Sequence, residues 1–157
     1  MSGALVLIPS AEFQQKILAK LNSDTITQLH ETRYNMLAFP FSTRYQNSNQ
    51  WALELIAAAF AQDVAIQHRE QAQAWLKAAD YQATTLEIPM MTRLGARLFR
   101  ANIAFDDHPM GRRMAGQIDT VTVESVAQFL KKRDMADDSQ YQPIEHLVNI
   151  FRFAQTP

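Results

Sequence analysis

The residues best placed for chemistry form the run Tyr45-Gln46-Asn47-Ser48-Asn49-Gln50-Trp51, which leads into the most apolar stretch of the sequence, Trp51 to Ala61. A side chain at the first position of a buried helix feels the positive end of the macrodipole. It also sits among backbone N–H groups that have no intrahelical partner. Such groups can cradle an oxyanion, and the same field lowers the pKa of a thiol placed there. Enzymes that attack with cysteine exploit this placement; here the position holds Ser48. A hydroxyl is far less acidic than a thiol and needs an adjacent base before it can attack a carbonyl. Asn47, Ser48 and Asn49 are also favoured helix caps, so the same run has a purely structural use.

The longer segment from Tyr34 to Leu55, Tyr34-Asn35-Met36-Leu37-Ala38-Phe39-Pro40-Phe41-Ser42-Thr43-Arg44 continuing through Ser48 to Trp51-Ala52-Leu53-Glu54-Leu55, resembles the signature of an uncharacterised bacterial family, domain of unknown function 2145. Weaker similarity extends through Thr120 to Val126. More remotely, Asn47-Ser48-Asn49 followed by an aromatic and Glu54-Leu55 resembles the Asn-Cys-Asn motif of permuted papain-like hydrolases, such as lecithin:retinol acyltransferase and the desumoylating isopeptidases. That resemblance implies acyl transfer or amide or thioester hydrolysis through a covalent intermediate. Ser48 would stand at the nucleophile position, and its N–H with the Gln46 side chain would hold the oxyanion. Asn47, Asn49 and Trp51 would contact a small-molecule, peptide or acyl substrate. With serine for cysteine, the domain is expected to be weakly active or inactive.

Two histidines bear on the missing base. His108 follows Ser48 by 60 residues, a separation an unpermuted papain-like order accommodates, yet Asp106, Asp107, Pro109 and Gly111 around it compose a turn. His30 lies 18 residues upstream of Ser48, in a polar stretch, where the permuted families place their histidine on a more distant strand. His68 starts a polar-faced helix and His146 adjoins an apolar run. Asp106, Asp107 and His108 are metal-ligand types, but no second ligand cluster accompanies them, so neither a metal nor a cofactor is expected. Glu54, in the most apolar helix, requires a partner such as an arginine or a buried water; the alternative is a role in positioning the site. It lies nearly two turns beyond Ser48, too far for a direct bond.

The elements that position these residues follow from apolar spacing. Val6 to Ile8 reads as a strand, and Ser10 caps a helix over about Ala11 to Leu21. Tyr34 to Phe39 reads as an extended piece stopped by Pro40, and Phe41 to Gln50 as a loop. The central helix is expected over Trp51 to Ala61, followed by amphipathic helices at Ile66 to Ala79 and from Pro89 to about Phe99. Asn102 to Gly116 reads as irregular, Ile118 to Thr122 as a short strand, and Thr122 as the cap of a helix ending at Lys131-Lys132-Arg133. A polar stretch, Asp134 to Gln142, precedes a final apolar segment from Ile144 to Phe153. The expected fold is α+β and helix-rich, a papain-like half with the central helix packed against a small sheet.

Composition bounds the rest. The chain has 157 residues, 47% of them apolar and 20% charged, as in an ordinary folded domain. Fifteen Lys and Arg against sixteen Asp and Glu leave a net charge of −1, which argues against nucleic acid as partner. There is no cysteine, so disulfides and thiol chemistry by this chain are excluded. No apolar run approaches the roughly 20 residues of a spanning helix, and no signal peptide is recognisable. A soluble single domain over 1–157 is expected. Its start on a core strand suits the C-terminal part of a longer protein, periplasmic if a leader precedes it. The rival to the hydrolase reading is a noncatalytic module in which the loop before Trp51 recognises a partner.

Overall fold

The computed structural model describes residues 3–62, 64–89, 102–133 and 136–143, with the backbone alone for 3–8 and 136–143. Strand β1 (Gly3–Pro9) is followed by α1 (Ala11–Leu21) and the single turn α2 (Thr25–Gln28). A long connection then reaches the central helix α3 (Ser48–Phe60) and α4 (Arg69–Ala78). Strand β2 (Thr84–Glu87), the short α5 (Met110–Met114), β3 (Gln117–Thr120), α6 (Val123–Lys132) and β4 (Ala136–Pro143) complete the described chain. The architecture is α+β. Its strands form two separate antiparallel pairs, β1 with β4 and β2 with β3.

Helix α3 owes its central place to its composition. Leu53, Leu55, Ala57, Ala58 and Ala59 are all buried, and α1 and α4 pack against the helix, while its cap residue Asn47 reaches the end of β3. The small alanines let neighbouring helices approach closely, and Leu76 of α4, Tyr81, Val121 and Phe129 of α6 close the core around them. Tyr81 meets Phe129 edge to face at 5.5 Å between ring centroids, within the range aromatic pairs favour. Burial pushes the Tyr81 hydroxyl up to about 12, and its hydrogen bond with Ser125 Oγ, at 2.7 Å, satisfies it.

Helix α4 ends in a motif that turns the chain into this core. Asp80 adopts a left-handed conformation (φ 58°), its N–H donates to Lys77 O, and the N–H of Tyr81 donates to Leu76 O. Helix α6 begins as expected, with Thr122 Oγ1 accepting from Ser125 N.

Several elements differ from the sequence expectation. The central helix begins three residues early, at Ser48, because Asn47 caps it. Ser10 stands at the N-cap of α1 but makes no side-chain cap bond. Tyr34 to Phe39 is not extended: Ala38 N donates to Asn35 O and Leu37 N to Asn35 Oδ1, closing tight turns. The polar stretch 136–143 is a strand, since β1 offers a ladder to pair with whatever its own side chains prefer. The helix expected from Pro89 to Phe99 (beyond Pro89 itself), the segment from Ile144 and His146 lie outside the described residues.

Between α3 and α4 lies a carboxylate with no exposure at all. Glu54 is 0% exposed and Arg69 5%, and the guanidinium meets the carboxylate twice, Nε to Oε2 at 2.8 Å and Nη2 to Oε1 at 3.2 Å. Gln46 Nε2 donates to Oε2 at 2.7 Å and Gln73 Nε2 to Oε1 at 2.8 Å. Burial pushes the Glu54 carboxyl up, and the donors from Arg69, Gln73 and Gln46 oppose that push. The structural pairing expected for Glu54 is therefore present, with Arg69 as the arginine. Arg69→Met should destabilise the fold by about 3–5 kcal/mol, because a buried carboxylate loses its counter-charge. Urea unfolding followed by circular dichroism measures this, and a loss under about 1 kcal/mol would show that the pair does not anchor the fold.

Candidate functional site

Asn47 anchors the start of α3 at both ends of its side chain. Its Oδ1 accepts from Gln50 N at 2.8 Å, and its Nδ2 reaches Met36 O, Thr120 Oγ1 and Val121 O at 3.2, 3.1 and 3.4 Å. Asn47 is thus the cap and the bolt that fixes the helix to the end of β3. Ser48, the next residue, is released from capping. Its side chain is exposed, and among the described residues nothing hydrogen-bonds to its Oγ. The backbone N–H groups of Ser48 and Asn49 likewise have no partner among the described residues. An exposed hydroxyl therefore stands beside two unpaired donors at the positive end of a 13-residue helix.

These groups open onto a cleft of about 210 Å³ lined by His30, Glu31, Tyr34, Gln46, Asn47, Ser48 and Trp51. That volume is smaller than the roughly 300–1,000 Å³ of drug-sized ligand pockets, so it suits a side chain or a short acyl group. Part of the lining comes from the segment after α2. Leu29 is fully buried, Trp51 Nε1 donates to Ile26 O at 3.3 Å, and the exposed His30 follows at once. The histidine in the polar stretch is thus the one that shares the cleft. The available signal was Ile26 and Leu29, three residues apart on a short helical turn, which pack that turn against α3 and leave the exposed His30 at the cleft.

Gln46 has a different task from the oxyanion donor that the resemblance implies. Both hydrogens of its amide are committed, one to Leu29 O at 2.8 Å and one to Glu54 Oε2, and its Oε1 accepts from Glu31 N at 2.9 Å. None is left to face the cleft. Asn49 turns its amide to Val121 O at 3.3 Å, away from ligand duty, as Asn47 does. Trp51 lines the cleft with part of its ring.

His108 stands elsewhere. It is 5% exposed, with Nδ1 at 2.9 Å from Asp107 Oδ1 and Nε2 at 2.9 Å from Asp119 O. Both nitrogens are engaged and neither contacts Ser48, because the Phe105 to His108 turn is folded onto β3. Asp107 Oδ2 accepts from Phe39 N at 2.8 Å, so this pair braces the loop before α3. Asp106 binds Arg44 at 2.8 Å. Among the described residues no group of three His, Asp or Glu side chains is disposed to hold a metal ion, and no helix is long and apolar enough to cross a membrane. His68 is the exposed N-cap residue of α4, its N–H donating to Gln71 Oε1 at 3.2 Å.

The fold and the cleft define an α+β domain whose polar cleft opens at the first turn of its central helix. Residues 2–130 match the family described as an uncharacterized protein conserved in bacteria (DUF2145), and the chain belongs to that family. No curated protein and no solved structure matches the chain.

One charge on the cleft is already neutralised. Arg33 holds Glu31 in a two-pronged pair, Nε to Oε1 at 3.0 Å and Nη2 to Oε2 at 2.9 Å, and its N–H adds a third bond to Oε1. Those hydrogen bonds bring the Glu31 carboxyl down to about 2. A lowered carboxyl stabilises the fold fully above its unfolded value of about 4.3, and loses that contribution as pH falls toward 2. Arg33→Ala should raise the Glu31 titration, followed by carbon-13 NMR of the carboxyl, from about 2 only part of the way toward about 4.3, because the N–H of residue 33 still donates to it. An unshifted titration would show that Arg33 does not set it.

Proposed function

We propose that this domain is of the acyl-transfer or hydrolase type, papain-like in its chemistry, with Ser48 at the nucleophile position and His30 as its base. The observation that carries the reading is the exposed Ser48 hydroxyl, which does not cap the helix and lines the same small cleft as His30, beside two N–H groups unpaired among the described residues. In that chemistry Ser48 Oγ bonds to the carbonyl carbon of an acyl substrate while its proton passes to the His30 ring. The carbonyl oxygen, now negative, lies against the N–H groups of Ser48 and Asn49. The leaving group departs with the proton from His30, and water then cleaves the acyl ester, giving its proton back through the same ring. Serine makes this slow, since its hydroxyl is weakly acidic and depends wholly on the base.

A noncatalytic recognition cleft is the second reading. One observation favours it: no hydrogen bond joins His30 to Ser48 Oγ among the described residues. The exposed Tyr34 and Met36 beside the cleft would then serve as apolar contacts for a partner.

Ser48→Cys separates the two. The chain has no other cysteine, so alkylation reports this position alone. The nucleophile reading expects an apparent thiol pKa in the range of about 3.5–7.5, measured from the pH dependence of iodoacetamide alkylation. It also expects His30→Ala to remove most of that depression. A thiol near the ordinary value of about 8.5, labelling no faster than an exposed control cysteine, would sink the reading.

A further inference from the structure

Gln46 spends every hydrogen-bonding group it has on one short segment and one buried charge. Its side chain accepts from Glu31 N and donates to Leu29 O. Its main chain donates to Arg33 O and accepts from Asn35 N, both at 3.1 Å. Four contacts from a single residue thus seize the backbone at 29, 31, 33 and 35, every second residue. Between the first two lies His30, its flanking carbonyl and amide both held. The remaining amide hydrogen goes to Glu54 Oε2, itself fixed by Arg69, while Gln73 holds the other carboxylate oxygen.

We propose that Gln46 is a positioning residue of the Ser48 cleft: it clamps the backbone on both sides of His30 and so sets the imidazole against the first turn of α3. This rests on the reading of Ser48 and His30 as nucleophile position and base. Only a carboxamide meets the requirement. It offers one acceptor and two donors in a single plane, so it can take an N–H, a carbonyl and a carboxylate together. Glutamate would lose both donors and set a second carboxylate against Glu54. Asparagine is a methylene short of the same reach. Gln46 also lies two residues before Ser48, and Asn47 between them is bolted to β3, so the clamp and the helix start move as one unit. The energy of the buried Glu54 pair is thereby coupled to the placement of an exposed histidine, which has no side-chain bond of its own among the described residues.

The experiment uses the full chain carrying Ser48→Cys, alone and combined with Gln46→Met, His30→Ala or both. Gln46→Met keeps the volume and removes all three side-chain bonds. Alkylation of the introduced thiol by iodoacetamide is followed across its titration range, with thermal unfolding measured alongside. Gln46→Met is expected to slow alkylation at neutral pH by about tenfold and to move the apparent thiol pKa toward about 8.5. Adding His30→Ala should then cost nothing further, because both changes remove the same placement. A merely structural role would lower the melting temperature and leave the pH profile intact; that result overturns the proposal. If His30→Ala collapses the profile and Gln46→Met does not, the clamp fails while the base assignment stands. If the introduced thiol is ordinary in the otherwise unaltered chain, the base assignment fails, and the positioning role with it. Amide exchange in the unaltered chain keeps the clamp testable even if Gln46→Met does not fold. Glu31 N–H should exchange about 100-fold more slowly than a free amide, and unprotected exchange overturns the clamp whatever the thiol does.

Discussion

A carboxylate cut off from water is the constraint around which this molecule is arranged. Glu54 receives four hydrogen bonds, from Arg69 twice and from Gln46 and Gln73 once each. A buried ion pair is weak evidence for stability, since desolvation offsets much of the attraction. What it imposes is geometry. Arg69 and Gln73 come from α4, Gln46 from the loop before α3, and each must arrive within hydrogen-bond distance for the charge to be satisfied. Arg69 then uses its other hydrogens on Thr43 O and Tyr45 O, at 2.9 and 3.0 Å, so the same residue that neutralises the helix also holds the loop.

That loop has almost no regular structure, yet much of it is buried. Backbone groups withdrawn from water need partners, and side chains supply them here. Asn35 binds Ala104 through both ends of its amide, at 2.9 Å from Nδ2 to O and 3.1 Å from N to Oδ1. Gln50 Nε2 reaches Phe39 O and Pro40 O at 3.3 and 3.2 Å, and Asp107 takes Phe39 N. His108 belongs to this brace, its ring 5.3 Å from that of Phe39. The Asn and Gln residues that read as a polar recognition loop are largely the internal frame of the connection. Ser48 is the exception within the run, and the contrast with its neighbours is what marks it.

The bland and the chemical readings of the Asn47-Ser48-Asn49 run divide between residues. Asn47 takes the cap, Asn49 reaches to Val121, and Ser48 keeps a hydroxyl and neighbouring amides that have no partner among the described residues. His30 lines the Ser48 cleft and His108 does not, for a local reason in each case. Sequence separation is blind to direction: the turn holding His108 folds inward against β3, while the residue after Leu29 lines the cleft.

Apolar spacing and capping chemistry by themselves determined the four longer helices α1, α3, α4 and α6, the α+β class, the central place of α3, and the need of Glu54 for a partner. Those properties are local, or follow from the energy of a buried charge, and they need no knowledge of which segments meet. The family signature was legible too, because it lies in one contiguous run from Tyr34 to Leu55. Tertiary structure alone decided that β1 pairs with a polar strand near the other end of the described chain, that Gln46 serves the backbone around His30, and that His30 shares a cleft with Ser48. Each of these depends on a hydrogen bond or a wall shared between segments far apart in the chain. No residue type or spacing encodes such a meeting until the core has closed.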